Sequence, residues 1–334
     1  MRKLICAGLG ALACLSIASG TAQAQSPKAQ DRNNPLSALP SDAGALGGYN
    51  VLIADRGNNR LLLVSPAKTI LWTYDFTGLP MNAGADDAFF IEGGKRIIAS
   101  LEHAQVIQII DVATKQVVWE YGELGKQGSA PGYLNFPDDA YMLPNGDVMV
   151  ADIRNCRILE IAPDKHILRQ AGVTRRCGSH APYLYAPNGD TPLPNGHVLI
   201  TTIDDHSLVE LDENWKEIFR MVLTLHYPSD PQMTKAGNFL ISDYSRPGSI
   251  VELDRKGQVV WSYGAEEPDP LNRPSLAMEL PNGNIIANDD LNHRIIVIDK
   301  ATKRILWQYG VTGVRGTRPG YLHIPDGLDI IKAD

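Results

Sequence analysis

The chain has 334 residues, 44% hydrophobic and 21% charged, with 30 Gly, 22 Pro and a formal charge of −7. That share of glycine and proline is too small for a collagen-like or low-complexity chain and suits many short elements joined by turns. The acidic balance argues against nucleic acid and anionic membranes as partners. No apolar run after the amino terminus approaches the roughly 18 residues of a membrane helix.

In chain order, Arg2 and Lys3 precede an apolar run from Leu4 to Ile17, and Ala22-Gln23-Ala24 supplies a small-x-small cleavage pattern. Residues 1–24 therefore read as a signal peptide cleaved near Ala24, and the mature chain as periplasmic or secreted. Cleavage removes two bases and no acid, taking the formal charge from −7 to −9. It also removes Cys6 and Cys14, leaving Cys156 and Cys177 as a pair that an oxidising compartment allows to form a disulfide. Residues 25–45, rich in Ser, Pro, Ala, Asn and Gln without apolar periodicity, read as a flexible leader.

From Val51 onward one pattern recurs: a β-rich run ending in a polar residue, a tight polar turn, and a second β-rich run. It begins at Val51, Val148, Val198, Phe239 and Ile285, and a sixth copy with an altered turn begins at Arg96. The polar markers Asp55, Ser100, Asp152, Thr202, Asp243 and Asp289 are spaced by 45, 52, 50, 41 and 46 residues. Periods of 40–50 residues belong to propeller blades. Upstream of most hairpins lies a strand opened by Pro and a small polar residue, as at Pro137-Asp138 and Pro187-Asn188. Downstream, four units carry Trp-x-Tyr, at Trp72, Trp119, Trp261 and Trp307. Four short antiparallel strands per unit make one blade.

The first unit lacks its Pro-Asp strand, whereas the chain ends with a spare one at Pro325-Asp326. Docking that last strand into the first blade closes the ring and covers both edges. The expected fold is thus all-β: one domain over residues 46–334, a six-bladed β-propeller of four-stranded antiparallel blades.

Asp55-x-x-Asn58-x-Arg60, Asp152-x-x-Asn155-x-Arg157 and Asp289-x-x-Asn292-x-Arg294, with Pro-Gly-Tyr-Leu at 131–134 and 319–322, resemble NHL-type repeats. The Leu-Pro-Asn-Gly turns and the Trp-x-Tyr strands are similar to those of arylsulfotransferase and PQQ-like propellers. The resemblance covers about residues 46–331 and implies architecture more than activity, because such propellers include lyases, sulfotransferases and binding scaffolds. In the Asp-x-x-Asn-x-Arg turns the carboxylate has turn amides and an Arg within reach, so hairpin stabilisation is the expected role. The Trp-x-Tyr strands are expected to pack between blades.

Strand order puts the second-to-third turns and the blade-to-blade crossovers on one face, where loops on a rigid scaffold carry function. There the inner strands begin with Asp86, Asp138, Asn188, Ser229, Ser275 and Asp326, followed by Asp87, Asp139 and Asp230 one residue later in three blades. Such a ring of oxygens, with Asp86, Asp138, Asn188 and Asp326 as its best ligands, is a candidate Ca2+ site in the central channel. His226 and His323 stand two residues before an inner-strand Pro, the register expected nearest the axis. The NHL-type amidating lyase holds zinc with three His, which would imply zinc here. The equivalent positions, Gly84, Asn135, Tyr185 and Asn272, supply no third imidazole, so zinc is the weaker cofactor candidate. An arylsulfotransferase-like reaction would use His226 as nucleophile and draw on Arg175, Arg176, Arg273 or Arg318 to meet an anion, with His323 beside them. Cys156 and Cys177 fall on this same face.

Two functions from different classes follow. One is a propeller that binds a protein, peptide or small-molecule ligand on its crossover face. The other is an enzyme at the channel mouth, a lyase, sulfotransferase or hydrolase using a divalent cation.

Overall fold

A computed structural model of the chain describes residues 35–333, so the expected signal segment and residues 25–34 of the expected leader lie outside the described residues. Blade 1 contains β1 (Tyr49–Asp55), β2 (Arg60–Val64) and β3 (Ile70–Asp75), and blade 2 contains β4 (Ala88–Ile91), β5 (Arg96–Leu101), β6 (Val106–Asp111) and β7 (Val117–Gly122). Blade 3 is built from β8 (Pro137–Met142), β9 (Val148–Asp152), β10 (Arg157–Ile161) and β11 (Ile167–Gly172), and blade 4 from β12 (Pro187–Pro192), β13 (Val198–Thr202), β14 (Ser207–Leu211) and β15 (Glu217–Val222). Blade 5 has β16 (Gln232–Met233), β17 (Phe239–Asp243), β18 (Ser249–Leu253) and β19 (Val259–Tyr263). Blade 6 has β20 (Ala277–Glu279), β21 (Ile285–Asp289), β22 (Arg294–Ile298) and β23 (Ile305–Tyr309), and the last strand is β24 (Pro325–Lys332).

These strands form six four-stranded antiparallel sheets, and β24 takes the inner position of blade 1. It pairs with β1 from Tyr49↔Lys332 to Asp55↔Pro325, closing the ring as the spare Pro-Asp strand requires. The hydrophobic core lies between blades. Leu52 and Leu61 of blade 1 pack with Ile97 and Ala99 of blade 2, and Leu240 and Ile250 of blade 5 with Ala287 and Ile296 of blade 6. Middle strands sandwiched on both faces read as near-continuous apolar runs; β9, β10, β21 and β22 are buried at every position. The fourth strands alternate, because one face meets solvent.

The repeat motifs turn out to be fasteners. Asp152 Oδ2 accepts from Asn155 Nδ2 at 2.8 Å and Arg157 Nε at 2.7 Å, while its Oδ1 accepts the Asn135 N–H of the crossover at 2.8 Å. Asp55 does the same with Asn58, Arg60 and the His323 N–H, and Asp289 with Asn292, Arg294 and the Asn272 N–H. Burial raises the pKa of each carboxyl and the adjacent guanidinium opposes the rise. Each Trp of the Trp-x-Tyr strands reaches the next blade: Trp72 Nε1 donates to Val112 O at 3.0 Å, Trp119 to Pro163 O at 2.9 Å, Trp261 to Lys300 O at 2.8 Å, and Trp307 to Pro66 O at 2.8 Å. The unit that lacks Trp in blade 3 uses Arg169, whose guanidinium lies 4.3 Å from the Trp215 ring of blade 4 and donates to Glu213 O.

Two sequence expectations need correction. The equivalent of the polar marker in blade 2 is Leu101, paired with Val106 as Asp55 is with Arg60, and not Ser100. Residues 35–45 are not a loose leader. Ser41 bridges Trp307, Asp42 N–H donates to Leu306 O and Gln308 N–H to Pro40 O, both at 3.0 Å, and Leu46 is fully buried. The segment covers the outer edge of β23, where unpaired backbone groups would otherwise face solvent.

Removing residues from Pro325 onward is expected to abolish the cooperative thermal transition, a loss comparable with the entire stability of a domain, about 5–15 kcal/mol. Circular dichroism melting checks this, and an unchanged transition would refute closure by β24.

Candidate functional site

In blades 1, 3 and 4 a β-bulge follows the inner-strand proline, between Asp55 and Ala54 against β24, between Pro137 and Ala140, and between Pro187 and Asp190. A bulge opposes two residues to one and re-aims a side chain. The residues before these prolines, Phe136, Ala186 and Ile324, have positive φ, as does Arg273 before Pro274. The crossovers thus reach the axis through left-handed corners that only a firmly seated loop retains.

Asp86, Asp138, Asn188, Ser229, Ser275 and Asp326 line a single cavity of about 150 Å³ at the channel mouth, in company with Arg56, Asp87, Glu102, Tyr227, Asp230 and Tyr244. Six of these twelve side chains are carboxylates, and Arg56 is their one base. Its guanidinium pairs with both Asp86 and Asp326, with Glu102 Oε2 at 4.0 Å. Burial works to lower the Arg56 pKa, but Asp326 and Asp86 outweigh it and keep the group charged. Burial pushes Asp86 well above the usual carboxylate range even with Arg56 beside it. Asp138 is pushed up by burial and by Asp230, and Asp87 is held up to about 7 by burial and by Asp326. Tyr227 and Tyr244, with ring centroids 5.3 Å apart, are kept as neutral phenols by burial and by the carboxylates around them.

Arg56, Glu102 and Tyr244 escaped the sequence reading. Each is the residue directly after the second strand of its blade, inside the variable part of the repeat turn, and Asp290 holds the same place in blade 6. The usable signal was register: once the marker residue is aligned, the next position overhangs the axis.

The imidazoles do not converge there. The His226 backbone N–H is taken by Asp243 Oδ2 and the His323 N–H by Asp55 Oδ1, which fixes both crossovers with the rings off the axis. His226 is exposed and 3.6 Å from Asp243; His323 packs edge-on against His293 at 5.5 Å. Neither lines the cavity. His103 alone stands at the rim, 3.1 Å from Glu102 and able to share an ion with Glu102 and Asp86. Arg175, Arg176 and Arg318 are exposed on outer crossovers, whereas Arg273 lies 5.4 Å from the Tyr244 ring. Cys156 and Cys177 form a disulfide with Cα atoms 5.3 Å apart, tying the crossover that carries Arg175 and Arg176 to blade 3.

No family model and no curated protein matches the sequence. Solved structures do. A protein of unknown function from Bacteroides caccae superposes with a TM-score of 0.63 at 16% identity, over 85% of this chain and 99% of that one. A streptogramin B lyase gives 0.57 at 16% identity, over 88% and 89% of the two chains. A chain of the nidogen/laminin complex gives 0.57 at 14% identity, over 85% and 98%. At these identities the likeness shows the six-bladed propeller fold.

Arg56→Met leaves Asp86 and Asp326 facing each other without a cation, and is expected to cost about 3–5 kcal/mol near neutral pH. Burial raises the folded Asp86 pKa and Arg56 opposes the rise, so the variant's folded state takes up a proton at Asp86 more readily than the wild type does as pH falls. The destabilisation should therefore shrink with acidification, as denaturant titrations at pH 7.5 and 5 would measure. Replacing Cys156 and Cys177 together by Ser is expected to cost about 3 kcal/mol for a loop of this length, read by the same titration.

Proposed function

We propose that the chain is a binding propeller whose crossover face takes a positively charged small ligand, or the cationic side chain of a peptide, at the channel mouth. The observation that carries this reading is the lining of the cavity, six carboxylates with one guanidinium, together with the neighbouring rings of Tyr227 and Tyr244. Carboxylates supply charge-assisted acceptors, and tyrosine faces attract an ammonium or guanidinium through the ring quadrupole. Arg56 demonstrates the fit from within, since its own guanidinium is gripped by Asp86 and Asp326. Asp138 lies on the same wall without such a partner among the described ion pairs.

Binding is favoured over catalysis because His226 and His323, the side chains that sulfotransferase- or lyase-like chemistry would require, stand outside the cavity. We retain the NHL-type repeat as the family reading, supported by the three Asp-x-x-Asn-x-Arg turns with one shared geometry. Export to the periplasm or beyond the cell is the matching location, supported by the signal-like amino terminus and by a disulfide of the kind oxidising compartments maintain.

Calorimetric titration with agmatine, with its uncharged amide analogue and with a dicarboxylate of similar length tests the reading. Agmatine should bind, the other two should not, and Asp138→Asn should weaken agmatine at least about tenfold, the equivalent of one lost charge-assisted contact. Equal binding of the dicarboxylate, or an affinity indifferent to Asp138→Asn, would overturn it.

A further inference from the structure

One residue further along the inner strands lies a second set of acids with which Arg56 makes no ion pair among the described residues. The residue after each ring position is Asp87 in blade 2, Asp139 in blade 3, Gly189 in blade 4, Asp230 in blade 5, Leu276 in blade 6 and Gly327 in blade 1. Asp87, Asp139 and Asp230 are buried, at 4%, 0% and 2% exposure, and offer carboxylate oxygens that all lie within 4.8 Å of one another.

Three observations separate this group from an incidental acidic cluster. Asp87 Oδ1 and Asp139 Oδ1 have no hydrogen-bond partner despite full enclosure, and both oxygens of Asp190, one residue further along β12 from Gly189, are likewise unpartnered. A buried carboxylate oxygen without a donor is strongly unfavourable unless a proton or a cation satisfies it. The groups present around the layer do not: Tyr141 Oη reaches Asp139 Oδ2 at 3.4 Å, and Asn188 Nδ2 and Ser229 Oγ reach Asp230 Oδ1 at 3.4 Å each, all long contacts. Finally, the two glycines keep the layer open. A Cβ at Gly327 would lie 2.4 Å from Asp87 Oδ1, and one at Gly189 would lie 3.2 Å from Asp230 Oδ1 and 2.8 Å from its Cα. A side chain at Gly327 would push the Asp87 carboxylate aside, and one at Gly189 would displace the Asp230–Pro231 segment, whose Pro231 Cδ would lie 2.4 Å away.

We propose that Asp87, Asp139 and Asp230 bind a divalent calcium ion inside the channel, one residue past the ring positions, with Asp190 adding its charge from the next position. Oxygens at mutual distances up to 4.8 Å match a central ion with ligands 2.3–2.6 Å away, which is calcium's range. The donors are all hard oxygens, with no imidazole or thiolate to favour zinc. The site differs from the outer ring of Asp86, Asp138, Asn188 and Asp326, where the sequence placed its candidate ion. There the Arg56 guanidinium already bridges two of the carboxylates. The inference does not rest on ligand binding at the mouth: Asp87 and Asp230 also face that cavity, but Asp139 and Asp190 do not, and the ligand is a different one.

Full-length mature protein, stripped with EDTA and dialysed, is titrated with CaCl2, MgCl2 and ZnCl2 by calorimetry and by thermal melting. One calcium per chain should bind, and the midpoint should rise by about 4 °C at a free calcium hundredfold above Kd. Asp139→Asn and Asp230→Asn should each weaken calcium at least tenfold, whereas Asp138→Asn in the outer ring should retain it. If either inner variant fails to fold, the wild-type protein decides: Tb3+ should bind with one-to-one stoichiometry, show luminescence sensitised by Tyr141, and be displaced by Ca2+. Absence of stoichiometric calcium, preference for zinc or magnesium, or calcium binding lost in Asp138→Asn but kept in the inner variants would overturn the proposal. Agmatine binding that persists after EDTA while calcium binding fails would refute this site and leave the mouth reading standing.

Discussion

The structure depends on a buried carboxylate at the outlet of the second strand. In blades 1, 3 and 6, Asp55, Asp152 and Asp289 join three parts of the blade at once: the turn through Asn, the third strand through Arg, and the crossover through a backbone N–H. Asp243 holds the Tyr227 N–H at 2.9 Å in blade 5 without the Asn and Arg. A buried pair of this kind gains little net stability over apolar packing, because desolvation offsets most of the attraction. What it supplies is position. The crossover is fixed two residues before the inner-strand proline, so the clamp determines where each inner strand begins and which side chains reach the channel.

That dependence explains what was legible in the sequence. The clamp residues recur at blade spacing and are polar in an apolar context, so blade number, strand count and closure by β24 followed from repetition alone. The ring of Asp86, Asp138, Asn188, Ser229, Ser275 and Asp326 was legible for the same reason, being counted from a proline in five repeats and by alignment in blade 2, where Ala85 takes its place. His226 and His323 were misplaced because counting gives a register and not a direction. Their N–H groups are the ones that the clamps hold, and that contact sends the rings outward. Arg56 was hidden by variability, since its equivalents are Glu102, Tyr244 and Asp290, and no shared residue type marks the position. The covering segment at residues 40–42 has no period at all, because it serves one edge of one blade.

The paired acids Asp138-Asp139 show a different limit. Strict alternation would turn one of them away from the axis, and a sequence argument on period two assigns only one to the channel. The bulge between Pro137 and Ala140 suspends alternation for a single step, so both reach it. Register slips of this kind leave no trace in composition, although they double the acid that a blade can bring to the centre.

Six-fold repetition would place identical groups around the axis, and identical charges there would repel too strongly for the ring to close. The chain avoids this by making each layer unequal. In the outer layer the three carboxylates come from the adjacent blades 1, 2 and 3, blades 4, 5 and 6 supply amide and hydroxyl groups instead, and a guanidinium from a turn enters to pair with two of the acids. In the inner layer the three acids come from blades 2, 3 and 5, and their neighbours are reduced to glycine or made apolar. No base enters that layer among the described residues, and burial with mutual repulsion raises Asp139 and Asp230 far above the ordinary carboxylate range. Protonation would relieve the charge but leave acceptor oxygens facing one another. A cation relieves both at once, and for that reason the asymmetry of the inner layer is better understood as a built cavity than as a fault in the repeat.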